Sequence, residues 1–191
     1  MFFLIEPSSE AVTRFLSSVA REEFSYSEVG ATNGPPPTGY VLDHNRARLG
    51  EGPEIFEQAV ACLKRWRQFD LGWVRIVPDT TPIEVGNVVA IKAKTFGLWS
   101  LSACRIVYLI DDTPPVKKFG FAYGTLSSHV EKGEERFTIE LHEDGSVWYD
   151  ILAFSRPNLL LVRMGYPLAR RLQRRFARES LRHMAALASH H

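Results

Sequence analysis

The sequence predicts an α+β fold in which a curved antiparallel sheet of about seven strands grips one long C-terminal helix. Three strand-like segments joined by short polar turns lie between Phe119 and Pro157. A long amphipathic segment follows them directly, and no helix-like segment separates the strands. Strands in a run without intervening helices favour an antiparallel sheet over βαβ units. We expect one domain over residues 1–191, with an N-terminal helix and a proline-rich linker in 1–39 and the sheet with its helix in 40–191.

The N-terminal part predicts one helix and a rigid linker. Ser8 or Ser9 is a suitable N-cap for a helix that reaches about Phe24. Its apolar side chains recur three and four residues apart, at Val12, Phe15, Leu16 and Val19. The segment Asn33–Gly39 contains three consecutive prolines, which fix φ and remove hydrogen-bond donors. This linker therefore carries the N-terminal helix to a separate docking place.

The central part predicts a strand, a second helix and then six further strands. Tyr40–Leu49 is strand-like, and a helix follows over Pro53–Phe69 with proline in its first turn. The apolar stripe of this helix comprises Ile55, Phe56, Ala59, Val60, Leu63 and Trp66. Turn-forming residues then separate strand-like segments at Gly72–Val77, Val85–Thr95, Cys104–Asp111, Phe119–Thr125, Arg136–His142 and Val147–Phe154.

The last helix is predicted to begin near Met164 or Pro167 and to run to about Ala188. Its apolar stripe comprises Leu168, Ala169, Leu172, Phe176 and Leu187. The remaining surface is rich in arginine, which is typical of a solvated helix face. No aromatic residues alternate with the arginines, so nucleic-acid binding is not favoured. Glu179 and His183 are exceptions, since both project onto the apolar stripe four residues apart, where they can touch.

Two of the predicted strands are apolar on both faces. Val147–Phe154 reads VWYDILAF, with Asp150 as its single charge, and Phe119–Thr125 alternates aromatic residues with glycine and alanine. A strand with one solvated face would alternate apolar and polar residues. We therefore expect cover on both faces of the sheet. The C-terminal helix covers one face, and the N-terminal helix, the linker or a second subunit of a homodimer covers the other.

Composition and charge exclude several classes of protein. The chain is 45% apolar and 24% charged with a net charge of +1, which is typical of a soluble globular protein without a field that attracts nucleic acid. No apolar run approaches the roughly 18 residues of a membrane-spanning helix, so we expect no membrane insertion. The two cysteines, Cys62 and Cys104, are too few for a disulfide framework and indicate reduced residues in a cytoplasmic protein.

Several long segments resemble a small uncharacterised family that is catalogued only as a domain of unknown function and occurs in bacteria and plants. They are YSEVGAT (26–32), WRQFDLGWV (66–74), GLWSLSACRIVY (97–108), FGFAYGTL (119–126), GEERF (133–137), VWYDILAFSRP (147–157) and GYPLARRLQRRFARESL (165–181). The family is grouped with the START-like helix-grip proteins, which include lipid carriers, plant hormone receptors and polyketide cyclases. The resemblance implies a helix-grip fold with a cavity between the sheet and the C-terminal helix, and it supplies no catalytic residues.

Glu179 and His183 are the candidate catalytic residues. On a helix stripe that faces a cavity, a carboxylate can orient an imidazole and raise its basicity, which makes the imidazole a general base. The alternative is that the stripe drifts near the helix end and both side chains reach solvent. His129 lies near Glu134 and Glu135, yet no second histidine stands at ligand spacing, so we expect no metal. No nucleotide, redox or hydrolase motif occurs, and we expect no cofactor.

Six residues are candidates for binding a ligand: Trp99, Tyr123, Trp148, Asp150, Phe154 and Arg156. The aromatic residues offer apolar area in a pocket, or they are ordinary core residues. Asp150 requires a partner if it is buried, and a structural ion pair with Arg105 or Arg136 is favoured over a ligand contact. Arg156 is suited to an anionic head group or to a turn at the end of its strand. The sequence leaves open which face of Val147–Phe154 lines the pocket.

Three functions are compatible with this pattern. The first is a binding module whose cavity holds a small apolar or amphipathic molecule. The second is an enzyme of the cyclase, isomerase or dehydratase type, with Glu179, His183 and Tyr123 as acid–base groups. The third is a structural or interaction protein with a filled core, in which the doubly apolar strands form a homodimer interface. A connected cavity of at least about 300 Å³ would separate the first two from the third.

Overall fold

The structure, a computed structural model, describes residues 1–112, 115–158 and 160–189. Within these residues one sheet is flanked by three α-helices: α1 at Ser9–Val19, α2 at Pro53–Lys64 and α3 at Leu160–Ser189. The strands are β1 (Phe2–Phe3), β2 (Val41–Glu51), β3 (Val74–Val77), β4 (Val88–Thr95), β5 (Leu98–Asp112), β6 (Lys117–Thr125), β7 (Glu131–Leu141) and β8 (Ser146–Pro157).

The sheet is antiparallel throughout and holds its strands in the order β2-β8-β7-β6-β5-β4-β3. The short β1 pairs with the part of β5 that β6 does not reach, where Phe2 lies opposite Ser100. Consecutive strands from β3 to β8 are neighbours in the sheet, and α3 follows the last of them. This confirms the helix-grip fold class. Sequence pattern alone did not reveal β1, because two residues of an apolar run carry no strand periodicity.

The predicted second helix ends earlier than expected. It consists of α2 followed by a separate 3-10 turn at Arg67–Phe69. Between them Trp66 has a φ of +57°, a left-handed conformation that interrupts an α-helix. The indole of Trp66 is buried, and its Nε1 donates a hydrogen bond to the carbonyl of Thr81 at 2.8 Å. Tertiary packing therefore stabilises a conformation that local sequence preference does not predict.

The boundaries of other elements also differ from the predicted ones. α1 ends at Val19, and Phe24, its predicted end, forms a β-bridge with Leu126 instead. β5 begins at Leu98, ahead of its predicted start, because pairing with β4 continues as far as Thr95 opposite Leu98. α3 begins at Leu160 and includes Pro167, so it is longer than predicted. Among the described helices, none has the length and apolarity needed to cross a membrane.

The inner face of the sheet packs against α2 and α3. Aromatic rings fill much of this core: the ring centroids of Phe69 and Phe176 are 4.7 Å apart, and those of Phe121 and Phe137 are 5.3 Å apart. Strand alternation assigns the faces of β8. Its inner residues are Val147, Tyr149, Ile151 and Ala153, whereas Trp148, Asp150 and Phe154 belong to the outer face.

The outer face is covered by α1 and by residues 20–40, which we call the strap. α1 packs its apolar side chains against β4, β5 and Leu126. The strap places Tyr26 and Tyr40 over Phe154, with ring centroids 5.6 and 5.0 Å from it. Cover on both faces of these strands is thus provided by the chain itself, and a second subunit is not required for it.

Glu134 on the outer face of β7 fastens the strap. Glu134 is 2% exposed. Its carboxylate accepts hydrogen bonds from the hydroxyl of Tyr26 at 2.7 Å, the backbone N–H of Gly30 at 2.7 Å, and the N–H and hydroxyl of Thr32 at 2.9 and 2.5 Å. Gly124 lies beneath Tyr26, and a Cβ there would stand 2.0 Å from the tyrosine hydroxyl oxygen. A glycine in β6 and an acid in β7 therefore shape the seat of the strap.

Candidate functional site

A cavity of about 330 Å³ lies between the inner face of the sheet and α3. Its volume falls within the range of small-molecule sites. Its wall is predominantly apolar, and its polar groups come mainly from β2, β7 and α3. The apolar part of the wall includes Phe69, Trp73, Val74, Ile91, Cys104, Ile151 and Phe176.

Small side chains and polar contacts keep this space open. Ala93 and Ala153 on the sheet and Ala169 and Ala177 on α3 all line the cavity, and none of them reaches across it. Polar contacts then fasten the N-terminal half of α3 to the sheet. Part of the attachment of α3 to the sheet is therefore polar and does not require apolar side chains to fill the gap.

The fastening contacts involve two side chains of α3. Arg170 donates to both carboxylate oxygens of Asp43 in β2, at 2.5 and 2.6 Å. The amide nitrogen of Gln173 donates to Glu131 at 2.7 Å and to Ser155 at 3.1 Å. A bidentate arginine–carboxylate pair is geometrically specific, so these contacts define where the helix crosses the mouth of the cavity.

Glu135 and Tyr123 form a carboxyl–phenol pair in the cavity wall. They face each other across β6 and β7, and the Tyr123 hydroxyl donates to Glu135 Oε2 at 2.7 Å. Burial raises the pKa of Glu135 to about 7; the hydrogen bond from Tyr123 opposes this rise, and the negative charges of Glu131 and Asp43 add to it. Burial likewise raises the pKa of Tyr123 well above its ordinary value. Glu135 is therefore poised to exchange a proton near neutral pH.

The same apolar surroundings shift the pKa values of other titratable groups in the wall. Burial raises the pKa of Glu131, although the hydrogen bond from Gln173 and the charge of Arg170 lower it in part. Burial lowers the pKa of His129 to about 4, so its imidazole is neutral at pH 7. Its Nδ1 accepts the backbone N–H of Glu131 at 3.0 Å. Burial also raises the pKa of the Cys104 thiol, which keeps this cysteine protonated.

Glu179 and His183 do not line the cavity. The carboxylate of Glu179 accepts hydrogen bonds from the indole of Trp73 at 2.7 Å and from Arg175 at 2.8 Å. The buried Nε2 of His183 has no hydrogen-bond partner among the described residues. The expected contact between the two side chains is absent there, because Trp73 and Arg175 occupy the carboxylate. This geometry does not favour the acid–base role expected for the pair.

Asp150 and Trp148 lie on the outer face, away from the cavity. Asp150 is 3% exposed and is surrounded by His44 at 2.5 Å, Arg136 at 3.4 Å and Arg46 at 3.9 Å. The guanidinium of Arg46 stacks over Trp148 at 4.6 Å. The contacts of Asp150 are those of a structural ion-pair network, the alternative favoured from sequence, and Arg136 is one of the two partners expected.

The remaining candidates divide between the cavity and the surface. Tyr123 lines the cavity. Phe154 borders it, although its ring packs beneath the strap. Trp99 lies outside it, with the amino groups of Lys92 and Lys94 at 5.6 and 5.4 Å from its ring. Arg156 stacks on Tyr40 at 4.3 Å at the rim of the strap. Of the six candidates for ligand binding, Tyr123 alone places a functional group in the cavity.

Residues 25–183 match the family described as Domain of unknown function (DUF1990). The chain belongs to this family. It is 39% identical to a UPF0548 protein of Dictyostelium discoideum over 96% of this chain and 94% of that protein. It is 36% identical to a UPF0548 protein of Arabidopsis thaliana over 74% of this chain and 70% of that protein.

Solved structures support the fold alone. A hypothetical protein from Helicobacter pylori superposes with a TM-score of 0.52 at 10% sequence identity, over 78% of this chain and 88% of that protein. A protein from Arthrobacter aurescens gives the same TM-score at 12% identity, over 78% and 86% of the two chains. At this level of identity the likeness extends to the course of the backbone and not to the chemistry of a site.

Glu131 and Glu135 are the site residues that sequence reasoning missed. The predicted strand begins at Arg136, so both acids are assigned to the preceding loop, whereas β7 begins at Glu131. One signal was present: Glu135 and Phe137 alternate with Glu134 and Arg136 in the family segment GEERF. Extending the strand by two residues places Glu135 on the apolar face, which is the mark of a buried carboxyl.

Proposed function

We propose that this DUF1990 protein binds one small apolar or amphipathic molecule in the cavity between the sheet and α3. The observation that carries the proposal is an open space of about 330 Å³ whose wall is mostly apolar and contains a few convergent polar groups. Unfilled apolar space is unfavourable in a protein interior because the lining atoms lose dispersion contacts. A ligand with an apolar body would restore those contacts.

The two alternatives have less support. A filled core is difficult to reconcile with this cavity, and the outer face is already covered by α1 and the strap. Catalysis by Glu179 and His183 would require both side chains to reach the cavity, which neither does. A cytoplasmic location and homodimer formation remain predictions from the sequence.

Isothermal titration calorimetry with 1-octanol tests the proposal. Burial of a methylene group contributes about 0.8 kcal/mol, so seven methylenes contribute roughly 5–6 kcal/mol, which corresponds to a Kd on the order of 0.1 mM. We expect one site per chain in the wild-type protein. Ala153→Phe places a ring in the cavity and should weaken the affinity at least tenfold.

Ala61→Phe is the matched control, because Ala61 lies on the exposed side of α2 and makes no part of the cavity wall. This variant should bind 1-octanol as the wild type does. Absence of binding by the wild-type protein, or equal binding by Ala153→Phe, would contradict the proposed function.

A further inference from the structure

The charges in the cavity wall identify the class of ligand more closely. We propose that the ligand carries a basic nitrogen on an apolar body, and that the carboxyl group of Glu135, held by Tyr123 and assisted by Glu131, receives that nitrogen. This inference rests on the proposed function, because it concerns the same cavity.

Glu135 is hydrogen-bonded at one of its two carboxylate oxygens. Tyr123 donates to Oε2, and none of the described residues donates to Oε1. Oε1 has no described donor and is nevertheless not one of the fully buried unpartnered atoms, so it has accessible surface, and Glu135 lines the cavity. Glu135 as a whole is partly accessible even though protein surrounds it, because its free surface faces this internal space. One carboxylate oxygen is therefore available to a ligand.

The electrostatic environment of Glu135 is acidic. The charged groups that act on Glu135 from the described neighbouring strands are Glu131 on β7 and Asp43 on β2, and both are acidic. Cys104 and Tyr123 are neutral, since burial raises both pKa values, and His129 is neutral because burial lowers its pKa to about 4. None of these described groups on the sheet and its loop carries a positive charge.

The cationic side chains near the cavity come from α3 and β7. Arg170 forms the bidentate pair with Asp43, and its charge also reaches Glu131. Arg174 borders the cavity from the exposed side of the helix, and Lys132 borders it from β7. In the described part of the chain neither of them forms an ion pair with Glu135. Among the described residues, Arg170 therefore compensates acids at the mouth of the cavity, and no cation of α3 is paired with Glu135.

A buried carboxylate without a cation is costly, and it either takes up a proton or acquires a partner. An ammonium group at Oε1 would supply that partner, and the charge-assisted hydrogen bond would be stronger than one to a neutral hydroxyl. The rest of the ligand would lie against the rings of Phe69 and Phe176, which face the same space. An alkylamine or arylalkylamine has this combination of groups.

The test compares octylamine with 1-octanol, which have the same chain and differ in the terminal group. At pH 8 most of Glu135 is ionised and octylamine is protonated. We expect calorimetry to show that the wild-type protein binds octylamine at least tenfold more tightly than 1-octanol. Glu135→Gln should bring the two affinities within about twofold while it retains the affinity for 1-octanol. At pH 5.5 the wild-type preference should shrink, because Glu135 is then protonated.

Glu140→Gln is the matched control: Glu140 belongs to the same strand and is 7% exposed, but it lies on the outer face with Arg46 and Lys118. This variant should keep the preference for octylamine. Circular dichroism would establish that each variant is folded. Equal wild-type affinities for the two probes, or an unchanged preference in Glu135→Gln, would overturn the inference while leaving the proposed function in place. Failure of both probes to bind would overturn both.

Discussion

Replacement of Glu134 by alanine is expected to lower the free energy of unfolding by about 4 kcal/mol, because a buried carboxylate that accepts four hydrogen bonds would be removed. The Tyr26 hydroxyl and the backbone N–H groups of Gly30 and Thr32 would remain in the strap without partners, whereas the Thr32 hydroxyl keeps its contact with the Tyr108 hydroxyl at 2.6 Å. Unsatisfied buried donors cost roughly 1–3 kcal/mol each, and the strap can relieve part of this cost by moving into solvent. Urea denaturation followed by circular dichroism measures the change.

Tyr26→Phe provides a graded comparison, since it removes one of the four donors and leaves the carboxylate in place. We expect it to cost about 1 kcal/mol. Limited proteolysis provides a local readout: the strap should become cleavable between residues 20 and 40 in Glu134→Ala and should stay resistant in Tyr26→Phe. A loss of less than 1 kcal/mol in Glu134→Ala, with the strap still resistant, would show that Glu134 does not hold it.

Replacement of Glu135 by glutamine is expected to raise the free energy of unfolding above pH 7, whereas replacement of Glu134 lowers it. The native pKa of about 7 lies above the ordinary value of 4.5. The native state therefore binds more protons than the unfolded state between these pH values, and the contribution of this carboxyl to stability falls as pH rises through that range. At about 1.4 kcal/mol per pKa unit the loss is on the order of 3 kcal/mol. Glutamine keeps an acceptor for Tyr123 and carries no charge.

His129 makes stability rise with pH, whereas Glu135 makes it fall, so the two contributions must be measured separately. Its native pKa of about 4 lies below the ordinary value of 6.5, so its contribution to stability is present above pH 6.5 and is lost as pH falls toward 4. The difference between Glu135→Gln and the wild type at each pH cancels the histidine contribution. Urea denaturation of both proteins at pH 5 and pH 8.5 measures this difference. A difference that does not change with pH would show that Glu135 titrates normally.

The two acids illustrate how adjacent positions in β7 serve different purposes. Glu134 has four donors and fastens the strap, whereas Glu135 has one donor and a pKa that burial raises to about 7, so we expect it to reduce stability above that pH. Groups that are maintained against stability are typical of binding and catalytic sites. This contrast supports the assignment of Glu135, and not of Glu134, to ligand binding.

The sequence predicted the architecture because the fold depends on patterns that extend over many residues. The doubly apolar segments 119–125 and 147–154 correctly indicated strands with cover on both faces, and the amphipathic C-terminal segment correctly indicated α3. What the pattern could not supply was which part of the chain covers the outer face. That choice depends on side-chain contacts such as those of Glu134 with the strap, which join residues about one hundred positions apart.

The site was less predictable than the fold for a geometric reason. Glu179 and His183 lie on the expected helix, but neither lines the cavity. The indole of Trp73 donates its hydrogen bond to the carboxylate of Glu179. Asp150 and Glu135 are both buried acids in strands, and strand parity alone decides that one faces the strap and the other the cavity. The face on which a side chain lies can be assigned only for residues inside a strand. The predicted strand began at Arg136 and β7 begins at Glu131, so Glu135 was assigned to a loop and was left out of the predicted site.

Native mass spectrometry of the freshly purified protein tests the central claim, that the cavity holds a small molecule, most directly. We expect the wild-type chain to carry a non-covalent mass of up to a few hundred daltons that collisional activation releases, and Ala153→Phe to appear at its own mass without it. Identification of the released molecule would also show whether it contains a basic nitrogen. A wild-type chain that appears only at its bare mass, and that retains neither 1-octanol nor octylamine when these are added, would contradict the account.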